Sequence, residues 1–280
     1  MHEVWGPYRV VRALGQGAMG RVFVAVDQGS QLAVALKLVA LGSEHDRAAL
    51  DAARGRFLAE AHATRCLQHP HIAAVLDAGE ARGQGWLAME LVPGTDLSRY
   101  TRPARLLPEA LVLHVGACIA RALAHAHAAG IVHRDVKPSN VLVDWASNTI
   151  KLSDFGLART ADAQATRTGV VLGSPAFLAP EQLAGAAAEP RSDLYALGVT
   201  LFQLLSGSLP FAAASMGELL RQVANDVPPS LRELKPEIKP ELSAETSEIV
   251  AALLHKQPAQ RPHSAERLAD RLEALAATLR

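Results

Sequence analysis

The sequence predicts an α+β protein with two lobes, a small N-terminal antiparallel β-sheet carrying one main helix and a larger, mainly α C-terminal lobe. Its 280 residues suffice for about two domains at roughly 150 residues each. Short runs of Val, Leu and Ala broken by Gly fill the chain as far as Val92, and long helical patterns follow. We therefore expect one lobe over residues 1–92 and another over 93–280, with a hinge near residues 90–94.

Five strands are predicted in the first lobe. Their sequences are YRVVRAL, RVFVAVD, QLAVALKLVA, HIAAVLDAGEA and GWLAMELV. Between the third and the fourth lies a long alanine-rich, Gly-poor segment with apolar residues at helical spacing. This helix should end near His69, because proline at position 70 restricts the residue before it.

The second lobe reads mainly as helices. Helical patterns cover residues 108–129, closed by Gly130, and then 193–205, 215–225, 243–256 and 264–279. Among them the run VLVDWASNTIKLSD places two β-rich stretches around an Asn-containing turn, which predicts a small hairpin. No internal repeat or low-complexity linker separates these elements.

Composition excludes several classes of protein. Hydrophobic residues make up 49% and charged residues 20% of the chain, near the average for globular proteins. The 28 Lys and Arg balance the 28 Asp and Glu, so no bulk charge favours nucleic acid or an anionic membrane. Two cysteines, Cys66 and Cys118, are too few for a disulfide framework, and the N-terminus lacks the order of a signal peptide. We expect a cytoplasmic location.

One uncharged stretch, residues 194–217, is long enough to cross a bilayer at about 20 residues per span. Gln203 interrupts it, and Ser206, Gly207, Ser208 and Pro210 break it. A helix that is apolar on every face also suits the buried centre of a large domain. The sequence therefore favours a core helix here and predicts no membrane span.

A glycine-rich motif, LGQGAMGRV, lies between two predicted strands and contains Gly15, Gly17 and Gly20. Glycines allow a backbone to fold closely over phosphates and to direct N–H groups at them. The alternative is a simple Gly-rich hairpin. A Rossmann site is disfavoured because a strand, not a helix, follows. The next strand carries Lys37 in an apolar run, where it needs a carboxylate or phosphate partner, and Glu60 on the following helix is suitable.

Two further motifs point to phosphoryl transfer. IVHRDVKPSNVLV contains Asp135, Lys137 and Asn140, and LSDFGLA contains Asp154. The chemistry needs a carboxylate to orient a hydroxyl, a cation on the moving phosphate, and hard oxygen ligands for Mg²⁺. These three functions would be supplied, in that order, by Asp135, by Lys137, and by Asn140 together with Asp154.

With these motifs the chain resembles the eukaryotic-type protein kinase catalytic domain and is most similar to bacterial Ser/Thr kinases. The resemblance extends over about residues 8–279 with its motifs in order. It implies the bilobal protein-kinase-like fold, ATP and Mg²⁺ (or Mn²⁺) as cofactors, protein substrates, and a role in bacterial signalling. It also suggests a homodimer through the small lobe, and a chain that is either free in the cytoplasm or the cytoplasmic domain of a longer, membrane-anchored kinase.

The resemblance implies a nucleotide site, position by position. Gly15, Gly17 and Gly20 would cover the phosphates, and Lys37, paired with Glu60, would contact them. Met89 would be the gatekeeper residue. The adenine would lie among the side chains of Leu14, Val22, Ala35 and Leu142 and bind the backbone of Glu90 and Val92, with the ribose near Asp96. Asp135 would be the catalytic base, Lys137 the γ-phosphate contact, and Asn140 and Asp154 the metal ligands.

Residues 154–181 resemble an activation segment that closes with Ala179, Pro180 and Glu181. Arg134 directly before Asp135 is typical of kinases whose segment is ordered by autophosphorylation, because a phosphate binds a guanidinium bidentately. Thr166 and Thr168 are the candidate sites, with Thr168 favoured. The resemblance also implies structural roles for Ser174, where most relatives have Thr, for Glu181 paired with Arg261, and for Asp193, which would hold the backbone of the catalytic loop.

Two alternatives to a protein kinase remain. A pseudokinase scaffold would keep the fold and the nucleotide but signal by docking, although the intact set of Lys37, Asp135, Asn140 and Asp154 disfavours it. A small-molecule kinase of the aminoglycoside or choline type would share a related fold, but the full activation segment favours a protein substrate. Zinc binding by His125 and His127 is disfavoured, because residues two apart point to different faces of a helix.

Overall fold

The computed structural model describes residues 3–17, 20–41, 47–155, 175–234 and 242–279. The chain divides into two compact units, one comprising the described residues of Met1–Pro93 and Ser153–Gly173, the other those of Gly94–Leu152 and Ser174–Arg280. Ser153, Asp154 and Phe155 thus belong to the first unit, although the residues directly before them in the chain belong to the second. The boundary between the two lobes that was expected after residue 92 stays a prediction.

The first unit contains a six-stranded antiparallel sheet in the order β1-β2-β3-β4-β6-β5. The strands are β1 (Val4–Trp5), β2 (Tyr8–Gly17), β3 (Gly20–Asp27), β4 (Ala33–Ala40), β5 (Val75–Ala81) and β6 (Gln84–Glu90). Helix α1 (Arg47–Arg65) lies between β4 and β5 in the chain. The five strands and the helix predicted here are confirmed, and β1 is an additional short edge strand that the sequence did not indicate.

Strand β4 separates two apolar clusters because its side chains alternate. Val34, Leu36 and Leu38 belong to a cluster that includes Trp5, Tyr8 and Trp86. Ala35 and Val39 belong to the other cluster, with Phe57 of α1 and Met89. Lys37 lies between Ala35 and Val39 in this alternation and therefore points to the face that α1 covers.

The ring of Trp86 leaves no room for side chains at two glycines. A Cβ added at Gly79 would lie 2.4 Å from Trp86 Cζ2, and one added at Gly6 would lie 2.6 Å from the same atom. Gly6 also has φ of +54°, a backbone conformation that favours glycine. Tyr8 meets the same ring edge to face, with centroids 5.4 Å apart.

The second unit is mainly helical. Its helices are α2 (Glu109–Ala128), α3 (Pro180–Leu183), α4 (Pro190–Ser206), α5 (Met216–Asn225), α6 (Leu231–Leu234), α7 (Ala244–Leu253) and α8 (Ala265–Thr278). Strands β7 (Thr95–Asp96), β8 (Val141–Asp144) and β9 (Thr149–Leu152) form a small antiparallel sheet. The predicted hairpin is the pair β8 and β9, whereas β7 was not predicted.

Helix α4 is the buried centre of the second unit, as expected for residues 194–205. Nearly all of its side chains from Ser192 onward are buried, and it ends at Gly207, whose φ is +75°. Among the described residues, α2 is the one helix long and apolar enough to cross a bilayer. However, 61% of its most apolar 18-residue stretch is buried within the protein. Burial of this kind is ordinary for a core helix.

Candidate functional site

The glycine-rich segment forms the end of the β2–β3 hairpin in the first unit. Gly15 pairs with Val22 and Gly17 with Gly20 across the two strands. Gly20 has φ of +134°, and a Cβ there would lie 1.9 Å from the carbonyl oxygen of Leu38 on β4. Only glycine fits this close approach of two backbones. No such obstacle exists at Gly15, where a Cβ would meet nothing within 4 Å.

Lys37 is held on β4 in an almost fully buried position. Its Nζ lies 2.8 Å from Oδ1 of Asp154, and the two side chains are 5% and 20% exposed. A buried ammonium needs such a partner, because an unpaired charge in the interior is very costly. Glu60 is the partner expected for Lys37 from the sequence. Both carboxylate oxygens of Glu60 are shielded from solvent, and its pairing with Lys37 stays a prediction.

The side chains expected around an adenine occupy neighbouring positions of the first unit's sheet. Ala35 and Met89 are cross-strand partners, and both are buried. Val22 packs against their cluster, while Leu14 is 44% exposed. The backbone N–H of Glu90 donates to the Ala74 carbonyl at 2.8 Å. The Glu90 carboxylate accepts the N–H of Ala74 at 3.2 Å, so this side chain has a structural role of its own.

Val92, which follows Glu90 beyond β6, is half-buried in the same unit. In the second unit, Asp96 on β7 and Leu142 on β8 are direct cross-strand partners. The Asp96 carboxylate accepts the backbone N–H of Ser98 at 2.9 Å and caps a short 3₁₀ helix, Leu97–Tyr100. One of its oxygens is therefore engaged locally, and the contact of Asp96 with a ribose stays a prediction.

Asp135, Lys137 and Asn140 come together on the loop between α2 and β8. Lys137 Nζ lies 2.7 Å from Oδ2 of Asp135, and Asn140 Nδ2 donates to the same oxygen at 2.9 Å. Asn140 Nδ2 also donates to the Asp135 carbonyl at 2.7 Å. The loop thus fixes one oxygen of this carboxylate through two donors.

Asp193, at the start of α4, holds the backbone before this carboxylate. Its two oxygens accept the N–H groups of His133 and Arg134, each at 2.8 Å. His127 Nε2 lies 2.8 Å from Oδ2 of the same residue. Arg134 has φ of +71°, an unusual conformation for a non-glycine residue that these bonds help to maintain. This role of His127 was not predicted, since its spacing from His125 raised only the question of a metal site.

Glu181 and Arg261 form a bidentate ion pair in the second unit. Nη1 and Nη2 of Arg261 lie 2.8 and 2.7 Å from the two oxygens of Glu181. Arg261 also donates to the carbonyls of His255, Arg191 and Lys256, so all of its N–H-bearing nitrogens are engaged. Burial by itself raises the pKa of Glu181, but the hydrogen bonds from Arg261 and Ser192 outweigh it and hold the pKa below its ordinary value.

Three predicted residues, Thr166, Thr168 and Ser174, lie outside the described residues. Gly17 lies in β2, but its immediate surroundings are not described. The structure therefore bears on the frame of the site and on the two ends of the activation segment, and not on residues 156–174.

The predicted metal ligands suit a hard cation. Because Asn140 Nδ2 makes both bonds to Asp135, its amide oxygen, the atom that could coordinate, is directed away from that residue. The Asp154 side chain is 20% exposed. Within the described ranges, no group of three or more His, Cys, Asp or Glu could hold a metal by itself. Mg²⁺ commonly binds one or two protein oxygens together with substrate phosphates, so a fuller cluster is not required.

Comparison with known proteins yields a family and named relatives. The family model "Protein kinase domain" matches residues 8–272. Serine/threonine-protein kinase PknA of Mycobacterium tuberculosis is 38% identical over 279 residues, covering 97% of this chain and 62% of PknA. Serine/threonine-protein kinase pkn3 of Myxococcus xanthus is 36% identical over 278 residues, covering 96% of this chain and 50% of pkn3. The chain thus spans half to about three fifths of these relatives.

A solved structure agrees along nearly the whole chain. The crystal structure of the Mycobacterium tuberculosis PknI kinase domain matches with a TM-score of 0.75 and 32% sequence identity. The match covers 98% of this chain and 98% of that one. The fold class predicted from the sequence is therefore confirmed.

Proposed function

This chain belongs to the protein kinase domain family, and we propose that it transfers the γ-phosphate of ATP to serine or threonine hydroxyls of proteins. The observation that carries the proposal is the Asp135 carboxylate, held by Lys137 and Asn140 on a loop whose backbone is fixed by Asp193. Relatives named as Ser/Thr protein kinases over nearly the whole chain support the same class of substrate.

Each residue has a distinct task in this proposal. Asp135 accepts the proton of the attacking hydroxyl on its carboxylate. Lys137 places a positive charge beside the transferring phosphoryl group, and Lys37 contacts the phosphates of the nucleotide. Asn140 and Asp154 would hold Mg²⁺, which supplies neutralisation of phosphate charge when bound.

The finer assignments follow from the same family membership. We propose autophosphorylation at Thr166 or Thr168, with Arg134 receiving the phosphate. We also propose that the domain acts in the cytoplasm, alone or as part of a longer membrane-anchored protein, and that two copies associate through their first units. Mg²⁺ is the proposed metal, with Mn²⁺ as a substitute.

The test compares the parent protein with Asp135→Asn in labelled ATP and Mg²⁺, followed by peptide mapping of any phosphate. We expect label on Thr166 or Thr168 in the parent and a rate lower by about 10²- to 10⁴-fold in the variant, the range for loss of a general base. Asp51→Asn, an exposed carboxylate on α1, is the matched control and should label like the parent.

Nucleotide binding, measured separately, decides what a negative result means. Equal labelling of the parent and Asp135→Asn would show that Asp135 is not the base and would overturn the proposed mechanism. Tight ATP binding without any transfer to protein would favour a scaffold. Transfer to small hydroxyl compounds alone would favour a small-molecule kinase.

A further inference from the structure

Three exposed arginines lie within seven consecutive residues in the segment of the second unit between β7 and α2. Arg99, Arg102 and Arg105 recur at every third residue and are all exposed. The Cα atoms of successive ones are at most about 11 Å apart, because a residue spans no more than ~3.6 Å. Within the described ranges, no ion pair involves any of the three, whereas Arg121, Arg221 and Arg271 all have acidic partners.

The acidic residues that flank the arginines in sequence, Asp96 and Glu109, and also Asp144 on β8, accept hydrogen bonds from other groups. Asp96 accepts a hydrogen bond from Ser98. Glu109 accepts the N–H of Ser243 at 3.2 Å and also contacts Thr246. The oxygens of Asp144 accept hydrogen bonds from Ala146 and Ser147, at 3.1 and 2.7 Å. Residues 97–108 contain these three arginines and no acidic residue, so this segment, the arginine patch, has a local excess of positive charge on a chain whose formal net charge is zero.

The backbone beneath this arginine patch is fixed. The N–H of Arg105 donates to the carbonyl of Arg102 at 2.8 Å, and Thr101 Oγ1 donates to the carbonyl of Ser98 at 2.9 Å. Pro103 lies so close to the end of α4 that a Cβ on Gly207 would be 2.9 Å from its nitrogen. A rigid arrangement loses less entropy when it binds a partner.

From these observations we infer that Arg99, Arg102 and Arg105 form a docking surface for an acidic segment of the protein substrate. The planar guanidinium group matches a carboxylate in a bidentate geometry, and three in a row suit a chain of Glu or Asp side chains. The inference rests on the proposed function in taking the bound protein as a substrate.

The surroundings of the patch favour a polypeptide over a membrane or a nucleic acid. Membrane-surface segments present apolar side chains beside their basic ones, but Leu97 and Leu107 here are buried, and no large apolar residue of residues 95–110 is exposed. Single-stranded nucleic acids stack on open aromatic faces. The neighbouring Tyr100 and Trp145 are instead packed edge to face and joined by a hydrogen bond of 2.8 Å.

The experiment measures binding of a fluorescent oligo-glutamate peptide by anisotropy, with oligo-glutamine as the neutral probe. The test variant is Arg99→Gln, Arg102→Gln and Arg105→Gln together. The control variant, Arg56→Gln, Arg232→Gln and Arg267→Gln, removes the same charge from exposed arginines that also have no ion pair within the described ranges. We expect the test variant to bind oligo-glutamate about tenfold more weakly than the control, and salt to weaken binding by the parent.

Transfer of phosphate to a neutral threonine peptide, and to the same peptide joined to oligo-glutamate, is measured in parallel. The test variant should lose the preference for the acidic peptide and keep its rate on the neutral one. Equal binding of oligo-glutamate by the test and control variants would overturn the inference. The inference would also be overturned if the test variant bound oligo-glutamate like the control variant and bound only phosphatidylglycerol vesicles or single-stranded DNA more weakly. Arginine-dependent binding without any phosphate transfer by the parent would support the docking surface and count against the proposed function.

Discussion

Gly20 shows how a single backbone position determines whether the hairpin can form. Replacement by alanine would place a methyl group against the Leu38 carbonyl and would also require φ of +134° from a residue with a side chain. We expect Gly20→Ala to lower the free energy of unfolding by about 2 kcal/mol or more. Urea unfolding followed by tryptophan fluorescence measures this, because Trp5 and Trp86 lie in the same sheet.

Gly15→Ala is the matched control, since the same change in the same hairpin would meet nothing within 4 Å. We expect it to change stability by no more than about 0.5 kcal/mol. If the two variants unfold at the same urea concentration, the close approach of Gly20 to β4 does not matter for stability.

Individual site residues and the pair of Glu181 with Arg261 could be named from the sequence, but the contact of Lys37 with Asp154 could not. The motifs singled out Lys37 and Asp154 separately, and the nearest plausible partner for Lys37 in the chain was Glu60. The ion pair with Asp154 arises because the segment that starts at Ser153 belongs to the first unit. His127 was missed for the same reason, since its partner Asp193 is distant in sequence.

At the scale of elements, Arg261 ties α3 to the start of α4 and to the turn after α7. Its side chain is fully buried, and the Glu181 side chain is 14% exposed. Removal of one charge from such a pair leaves the other buried without compensation. The pair therefore matters for stability mainly because removal of either partner would leave a buried charge without compensation.

We expect Glu181→Gln to lower the free energy of unfolding at neutral pH by about 2 to 3 kcal/mol. Because the pKa of Glu181 is lowered in the folded protein, its contribution is present above the ordinary value of 4.5 and is lost as the pH falls through the folded value. The difference between the parent and Glu181→Gln should thus shrink below about pH 4.5. Urea unfolding at several pH values, with the exposed Glu248→Gln as control, measures it. A difference independent of pH would contradict this account.

Helices were predicted better than short strands because their ends carry local signals. Ser215, Ser243 and Ser264 each accept an N–H three residues on and begin α5, α7 and α8 close to where the sequence indicated. Strands β1 and β7 have two residues each, and pairing with a distant strand creates them. Helix α1 ends at Arg65, four residues before the predicted end, because Cys66 and Leu67 donate to carbonyls three residues back.

At the scale of the whole molecule, the balance of charge predicts how the protein behaves in solution. Its formal net charge is zero with histidine neutral, and it contains 11 histidines. A protein near zero net charge has its weakest mutual repulsion. We expect solubility to be lowest near pH 7 and to rise several-fold toward about pH 5.5, where histidines become protonated. Light scattering of concentrated protein across this range measures it, and a minimum well below pH 6 would contradict it.

The packing of Trp86 constrains the order in which substitutions can accumulate in an evolving lineage. Gly79 can gain a side chain only after the indole has been replaced by something smaller, since the ring occupies the space that a Cβ would need. Gly6 would gain room from the same replacement, yet its φ of +54° would still favour glycine. Replacement of Trp86 must therefore come first. A substitution of Gly79 that preceded it would be removed by selection for folding.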